Sequence, residues 1–141
     1  MPLVQLTYAS TVAEAVTVED IKTIVAQASQ KNESVNLTGF LCANLKFFMQ
    51  CLEGERESVN RLYLKIAQDP RHDKVSLIKY NEIDKRVFGD WSMGVVTQVD
   101  SHKDLIKQYN HCESFDPYNI QSSDCIAFLH ELSHIRKGGA R

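Results

Sequence analysis

Residues 47–54, Phe-Phe-Met-Gln-Cys-Leu-Glu-Gly, form an apolar, strand-like run interrupted by one amide, Gln50. Side chains alternate faces along a strand, so Phe48, Gln50 and Leu52 point one way while Phe47, Met49, Cys51 and Glu53 point the other. Gln50 therefore lies between two apolar neighbours on its own face. An amide brings two donor hydrogens and two acceptor lone pairs, and leaving them unmatched in a core costs roughly 1–3 kcal/mol. Its partner is either neighbouring backbone or a ligand rich in heteroatoms. A second apolar run, residues 36–44, precedes this one across Ala43-Asn44-Leu45, and the two read as a tight hairpin although no Asn-Gly marks it. Gly39 within the first run points to a bulge or a close backbone approach.

The remaining elements follow from periodicity. Residues 3–8 read as a first strand that Tyr8 closes before the polar Ser10-Thr11. Thr17 then precedes Val18, Ile21, Ile24, Val25 and Ala28 at helical spacing, with Asp20 where a capping box carries Glu or Gln. This predicts a helix over 18–32, in which Ile24, Ala28 and Asn32 line one stripe ending in an amide. A second helix between Glu55 and Gln68 rests on Val59, Leu62, Tyr63 and Ile66, with Glu55 and Glu57 at its acid-favouring start and Pro70 past its end. Two strands are expected at 74–83 and 91–97, the latter with Trp91, Met93, Val95 and Thr97 on one face.

This order predicts an α+β fold: a ferredoxin-like βαββαββ mixed five-stranded sheet with two helices on one face. First and third strands are central neighbours in that plan, which brings Tyr8 close to Gln50. A short helix is expected after Ser101, a turn at Asp116-Pro117, and then an apolar stripe of Cys125, Phe128, Leu129, Leu132 and Ile135 that Gly138-Gly139 terminates. The stripe is expected to cover the second sheet face, where Phe47, Met49 and Cys51 would otherwise form a large exposed apolar patch.

Composition narrows the function. A chain of 141 residues holds one core, and a net charge of −2 gives no support to nucleic-acid or anionic-membrane binding. No apolar run approaches a membrane span and no signal peptide is visible, so a cytoplasmic location is expected. Cys42, Cys51, Cys112 and Cys125 show no C-x-x-C pairing and read as reduced thiols. His130-Glu131-Leu132-Ser133-His134 matches the H-E-x-x-H pattern of zinc peptidases. Its histidines lie opposite the Phe128/Leu132 stripe, and no room for a third ligand follows, so no metal site is expected. The third strand lacks the glycines of an RNA-recognition module. Asp69-Pro70-Arg71-His72, by contrast, sets an acid, a guanidinium and an imidazole at the end of the second helix. Arg71 suits a phosphate there, and Lys31 beside Asn32 offers another cation and amide at the end of the first helix.

Taken in order, Leu6-Thr7-Tyr8-Ala9-Ser10, Asn32, Leu37-Thr38-Gly39, Phe48-Met49-Gln50-Cys51-Leu52-Glu53-Gly54, Asp69-Pro70-Arg71-His72 and Trp91-Ser92-Met93 carry a resemblance. From about Leu3 to Val96 the chain resembles the BLUF family, sensors of blue light using flavin. The resemblance implies a flavin-binding photosensory domain over 1–98 and, over 99–141, a two-helix extension packed on the sheet, as in short single-domain members. It implies a non-covalent flavin between the two helices, FAD with FMN as the alternative. The implied cofactor contacts are Tyr8, Ile24, Lys31, Asn32, Phe48, Gln50, Lys65, Ile66, Asp69, Arg71 and His72. Lys31 and Lys65 stand where other members vary among Asn, His and Arg, and the ammonium of Lys65 lacks the planar fork of an arginine. Tyr8 is implied to donate an electron and a proton on excitation, and Gln50 to rearrange its hydrogen bonds. Trp91 and Met93 are implied to transmit the change. The output is then protein–protein interaction, with a second copy of the chain and a separate effector protein, and no catalysis. A flavin-dependent oxidoreductase and a ferredoxin-like binding module without photochemistry are the alternatives.

Overall fold

Tyr8 faces Gln50 across the centre of the sheet. Strand β1 (Leu3–Val12) runs antiparallel to β3 (Phe47–Glu55) in a register that pairs these two residues. The computed structural model describes residues 2–91 and 93–139, with the side chains of Val18, Ser29 and 136–139 outside the description. Strand β2 (Thr38–Ala43) flanks β3, β4 (His72–Ile83) flanks β1, and β5 (Gly94–Val96) closes the far edge parallel to β2. The order β4-β1-β3-β2-β5 is that of a ferredoxin-like sheet with one added strand. β1 runs on to Val12 instead of ending at Tyr8, because Ser10 and Thr11 still pair with Phe48 and Phe47.

Local chemistry explains the helix and turn boundaries. Thr17 accepts from the Asp20 amide at 3.2 Å and its own amide donates to Asp20 Oδ2 at 2.9 Å, so aspartate completes the capping box that starts α1 (Val18–Ser34). Helix α2 (Arg56–Gln68) ends just before Pro70. In the hairpin, Asn44 Oδ1 accepts from the amides of Lys46 and Phe47, both at 2.8 Å, and this Asx turn takes the place of an Asn-Gly pair. Gly39 is required by a close approach: a Cβ there would stand 2.1 Å from the Cys51 carbonyl oxygen.

Both sheet faces are buried. On one, Val4, Leu6, Phe48 and Leu52 meet Ile21 of α1 and Val59 of α2. On the other, Phe40, Cys42, Met49 and Cys51 pack under Cys125, Phe128, Leu129 and Leu132 of α4 (Cys125–Gly139), with Ile106 of α3 (Lys103–Asn110) in the same core. The stripe on α4 is thus the cover that Phe47, Met49 and Cys51 require. Ile135 departs from expectation and stays exposed. The C-terminal segment is also fastened by polar contacts. Asp100 accepts from Asn44 Nδ2 at 3.1 Å and from the Phe115 amide at 2.9 Å, and Tyr118 donates to the Lys74 carbonyl at 3.0 Å.

The expected strand over 91–97 needs correction. Only Gly94–Val96 pairs, and Trp91 and Met93 do not share a face. Trp91 packs with the α4-side core, edge-on to Phe40 at 5.8 Å, whereas Met93 is buried in the core on the α1/α2 side. Gly94, where regular pairing begins, lies so close to the Phe40 ring that a Cβ would come within 2.5 Å of it, and only glycine fits there. Ser92 lies outside the described residues.

Phe128 is fully buried and stacks on Phe115 at 5.8 Å. Phe128→Ala is expected to lower stability by about 3–5 kcal/mol, read as a fall in the urea midpoint at unchanged slope.

Candidate functional site

The helices α1 and α2 follow antiparallel strands, so they run antiparallel across one sheet face and their C-terminal ends lie at opposite ends of the space between them. That space is a cleft of about 340 Å³, within the roughly 300–1,000 Å³ usual for small-molecule sites. Ile24 and Ala28 line it from α1, Leu62 and Ile66 from α2, and Leu41 and Phe48 from the sheet. Its polar groups are grouped at the ends. Lys31 and Asn32 stand at the end of α1, and Lys65, Asp69, Arg71 and His72 at the end of α2. Every residue that the resemblance named for cofactor contact therefore borders this cleft.

Gln50 occupies the sheet floor beside Tyr8 and Met93. Tyr8 Oη donates to Gln50 Oε1 at 2.5 Å, and Gln50 Nε2 donates to the Met93 sulfur at 3.2 Å. The neighbours determine which way the amide points, because a thioether can only accept and so selects the nitrogen. The second N–H and a lone pair of Gln50 remain available to a ligand. Burial, reinforced by the nearby Tyr63 and Asp69, holds the Tyr8 phenol far above its ordinary range, so it keeps its proton in the resting protein.

At the far end, Asp69 accepts from Arg71 Nε at 3.0 Å and from Arg71 Nη2 at 2.6 Å. The guanidinium holds the Asp69 carboxyl below its ordinary range. His72 packs against Phe48 with ring centres 4.7 Å apart, and its Nδ1 lies 2.8 Å from Ser10 Oγ. Burial pushes the imidazole down to about 4, Arg71 acting in the same direction and Asp69 against it. The Ser10–His72 pair is not a nucleophile and its base, since Ser10 is fully buried and closed to substrate.

Arg61, Leu62, Leu41 and Met93 also line the cleft and were not anticipated there. One of them, Leu62, carried a readable signal: Ser58, Leu62 and Ile66 recur every four residues on α2, as Ile24, Ala28 and Asn32 do on α1. Leu41 pairs directly with Gln50, which only the β2–β3 register reveals. Away from the cleft, His130 and His134 are exposed on α4 with their Nε2 atoms 3.2 Å apart. Among the described residues no three His, Cys, Asp or Glu side chains converge as metal ligands, and no helix is long and apolar enough to cross a membrane.

Residues 3–94 match the family BLUF, sensors of blue-light using FAD. The chain belongs to the BLUF family. Among curated relatives, the photoactivated adenylate cyclase subunit alpha of Euglena gracilis is 42% identical over 87 residues, which are 62% of this chain and 8% of that protein. The chain thus spans a small fraction of that relative's length. The solved BLUF protein BlsA in its photo-activated state is 32% identical, with a TM-score of 0.82 over 92% of this chain and 94% of BlsA. Klebsiella pneumoniae BlrP1, solved with FMN and cyclic diGMP, is 33% identical at a TM-score of 0.64, over 67% of this chain and 26% of BlrP1. The BLUF domain here is accordingly a flavin-binding blue-light sensor. The cleft fits such a cofactor: apolar walls suit a planar ring, buried amides suit ring carbonyls and nitrogens, and cations at its α2 end suit an anionic tail.

His72 makes stability pH-dependent. Its pKa falls from an ordinary 6.5 to about 4 on folding, so between these values the unfolded chain binds more protons. Stability is complete above pH 6.5 and is lost as pH falls towards 4, by at most on the order of 3 kcal/mol. Urea unfolding across that window is expected to show the slope, and His72→Gln to flatten it.

Proposed function

We propose that this BLUF domain holds FAD in the cleft and signals by rearranging the hydrogen bonds of Gln50. The observation that carries the reading is the chain Tyr8–Gln50–Met93, in which one buried amide joins a phenol to a thioether. When bound, the flavin supplies blue absorption and an acceptor for one electron and one proton. Phe48, Ile24 and Ile66 would enclose its ring, and Asn32 and Gln50 would meet polar atoms at its edge. Arg71 and Lys65 would supply the cationic surroundings of the phosphates at the α2 end, with His72 as a neutral hydrogen-bonding ring beside them. Two cations at that end favour the diphosphate of FAD over the single phosphate of FMN.

The protein's own chemistry runs through three residues. Tyr8 Oη holds the proton at rest and releases it along its hydrogen bond towards Gln50 Oε1 once the phenol has lost an electron. The amide then rotates or tautomerises, and the electron and proton return to Tyr8. Rotation turns a donor towards Tyr8 and an acceptor towards Met93, and a thioether cannot answer an acceptor; a tautomer keeps one N–H on its imine nitrogen in place of two. On rotation the contact between Gln50 and Met93 is lost, and the segment that carries Met93 responds. No substrate is turned over. The output is a change in association with another copy of the chain or with a separate effector protein, carried by α4 on the opposite sheet face.

Spectra of the purified protein before and after blue light test this reading. A yellow protein with a small, reversible red shift is expected; persistent bleaching would instead favour a flavin-dependent oxidoreductase. Gln50→Leu and Tyr8→Phe are each expected to abolish the shift while flavin stays bound, since both interrupt the chain of hydrogen bonds at nearly constant volume. A full reversible shift in Gln50→Leu would sink the mechanism.

A further inference from the structure

The carboxylate of Glu53 is fully buried, yet it lies on the sheet face away from the cleft. It accepts from four donors: Gln5 Nε2 at 2.8 Å, the amides of Val87 and Phe88 at 2.9 and 2.8 Å, and Thr38 Oγ1 at 3.4 Å. A carboxylate only accepts, and its two oxygens offer about four lone-pair sites, so these donors occupy it fully. Two of them are backbone amides of one loop, and charge-assisted bonds of this kind are the strong ones. Arg86 seals the arrangement, donating to Thr38 Oγ1 at 2.8 Å, to the Glu53 carbonyl at 3.0 Å and to the Asn36 carbonyl at 2.8 Å.

The clamped loop reaches both functional elements. Phe88, held through its amide, stacks on Phe40 at 5.8 Å and meets the ring of His130 on α4 at 6.4 Å. Its carbonyl accepts from the Trp91 amide at 3.0 Å, and the Trp91 carbonyl accepts from Gly39 at 3.0 Å. Two residues further on, Met93 meets Gln50 at 3.2 Å.

We propose that Glu53 is a positioning residue that couples Gln50 to α4: its carboxylate pins the 86–93 segment so that Met93 bears on the amide at one end and Phe88 bears on α4 at the other. The proposal rests on Gln50 being the group that switches. A segment pinned where it meets α4 transmits a displacement of Met93 to that contact, whereas a loose one absorbs it. Glutamine is the informative replacement, because it keeps the shape but turns an NH₂ group towards donors that need acceptors.

The test uses the flavin-loaded full chain and light-minus-dark hydrogen exchange. In the unmodified protein illumination is expected to change exchange over residues 125–135. In Glu53→Gln the red shift should keep its size while the response over 125–135 falls about fivefold or more, the loss of a coupling of ordinary allosteric size. Val59→Ala, a core truncation that removes none of these hydrogen bonds, should retain the response. A response of unmodified size in Glu53→Gln overturns the proposal, as does its equal loss in Val59→Ala. If Glu53→Gln does not fold, the unmodified protein in the dark decides: the Val87 and Phe88 amides should exchange as slowly as strand amides, and exchange at an unprotected rate means that the clamp does not exist. Absence of the red shift in the unmodified chain would count against the role of Gln50, and these two dark amides remain a separate judgement on the clamp.

Discussion

Strand β3 is the constraint to which the other elements answer, because it is buried on both faces and each face serves a different core. A slip of one residue would exchange the two sets of side chains, putting Gln50 under α4 and Met49 into the cleft. Several independent devices hold the register. Asn44 ties the turn, Gly39 admits the Cys51 carbonyl, and Glu53 finds Gln5 on one side and the Val87–Phe88 amides on the other. The ligand cleft and the docking face of α4 are thus fixed by a single strand.

The polar groups in this sheet are matched by kind as well as by number. Gln50 sits between a phenol that can donate or accept and a thioether that can only accept, so its resting orientation is unambiguous and its alternative is penalised. Burial keeps the phenol protonated. A group that neither ionises nor reorients at rest suits the resting state of the proposed switch, in which loss of an electron from the phenol would be what releases it.

Much of this was legible in the chain. The two helix stripes, the hairpin and the neighbouring first and third strands are all written in local periodicity, and together they bring Tyr8 to Gln50. The residues Ile24, Asn32, Ile66 and Arg71 were assigned to one cleft through the family resemblance, and local periodicity added only that they lie on helix faces and helix ends. What escaped depends on contacts between distant segments. Glu53 read simply as the last member of an alternating face, and its partners lie 48 residues upstream and more than 30 downstream. The Ser10–His72 pair spans 62 residues and needs both the lengthened β1 and the β1–β4 register. Trp91 and Met93 were misassigned to one face because alternation assumes a regular strand, and the paired strand begins only at Gly94.

The C-terminal segment is bound to the sheet at more places than its apolar stripe. Asp100 grips the β2–β3 turn and the residue at 115, and Tyr118 reaches the carbonyl of Lys74, a position with φ of 48° next to the shift in β1–β4 register. These attachments lie at the opposite end of the segment from the clamped loop that touches His130. A helix pair anchored at one end and contacted at the other has no free hinge about which to swing clear of the sheet. Under the proposed mechanism, the motion that such attachments favour is shear, a slide of α4 along the apolar face with its side chains still interdigitated. Such a slide leaves the core covered and alters only the pattern of groups that the outer surface presents, so a partner would read a change of spacing and not the appearance of a new hydrophobic patch.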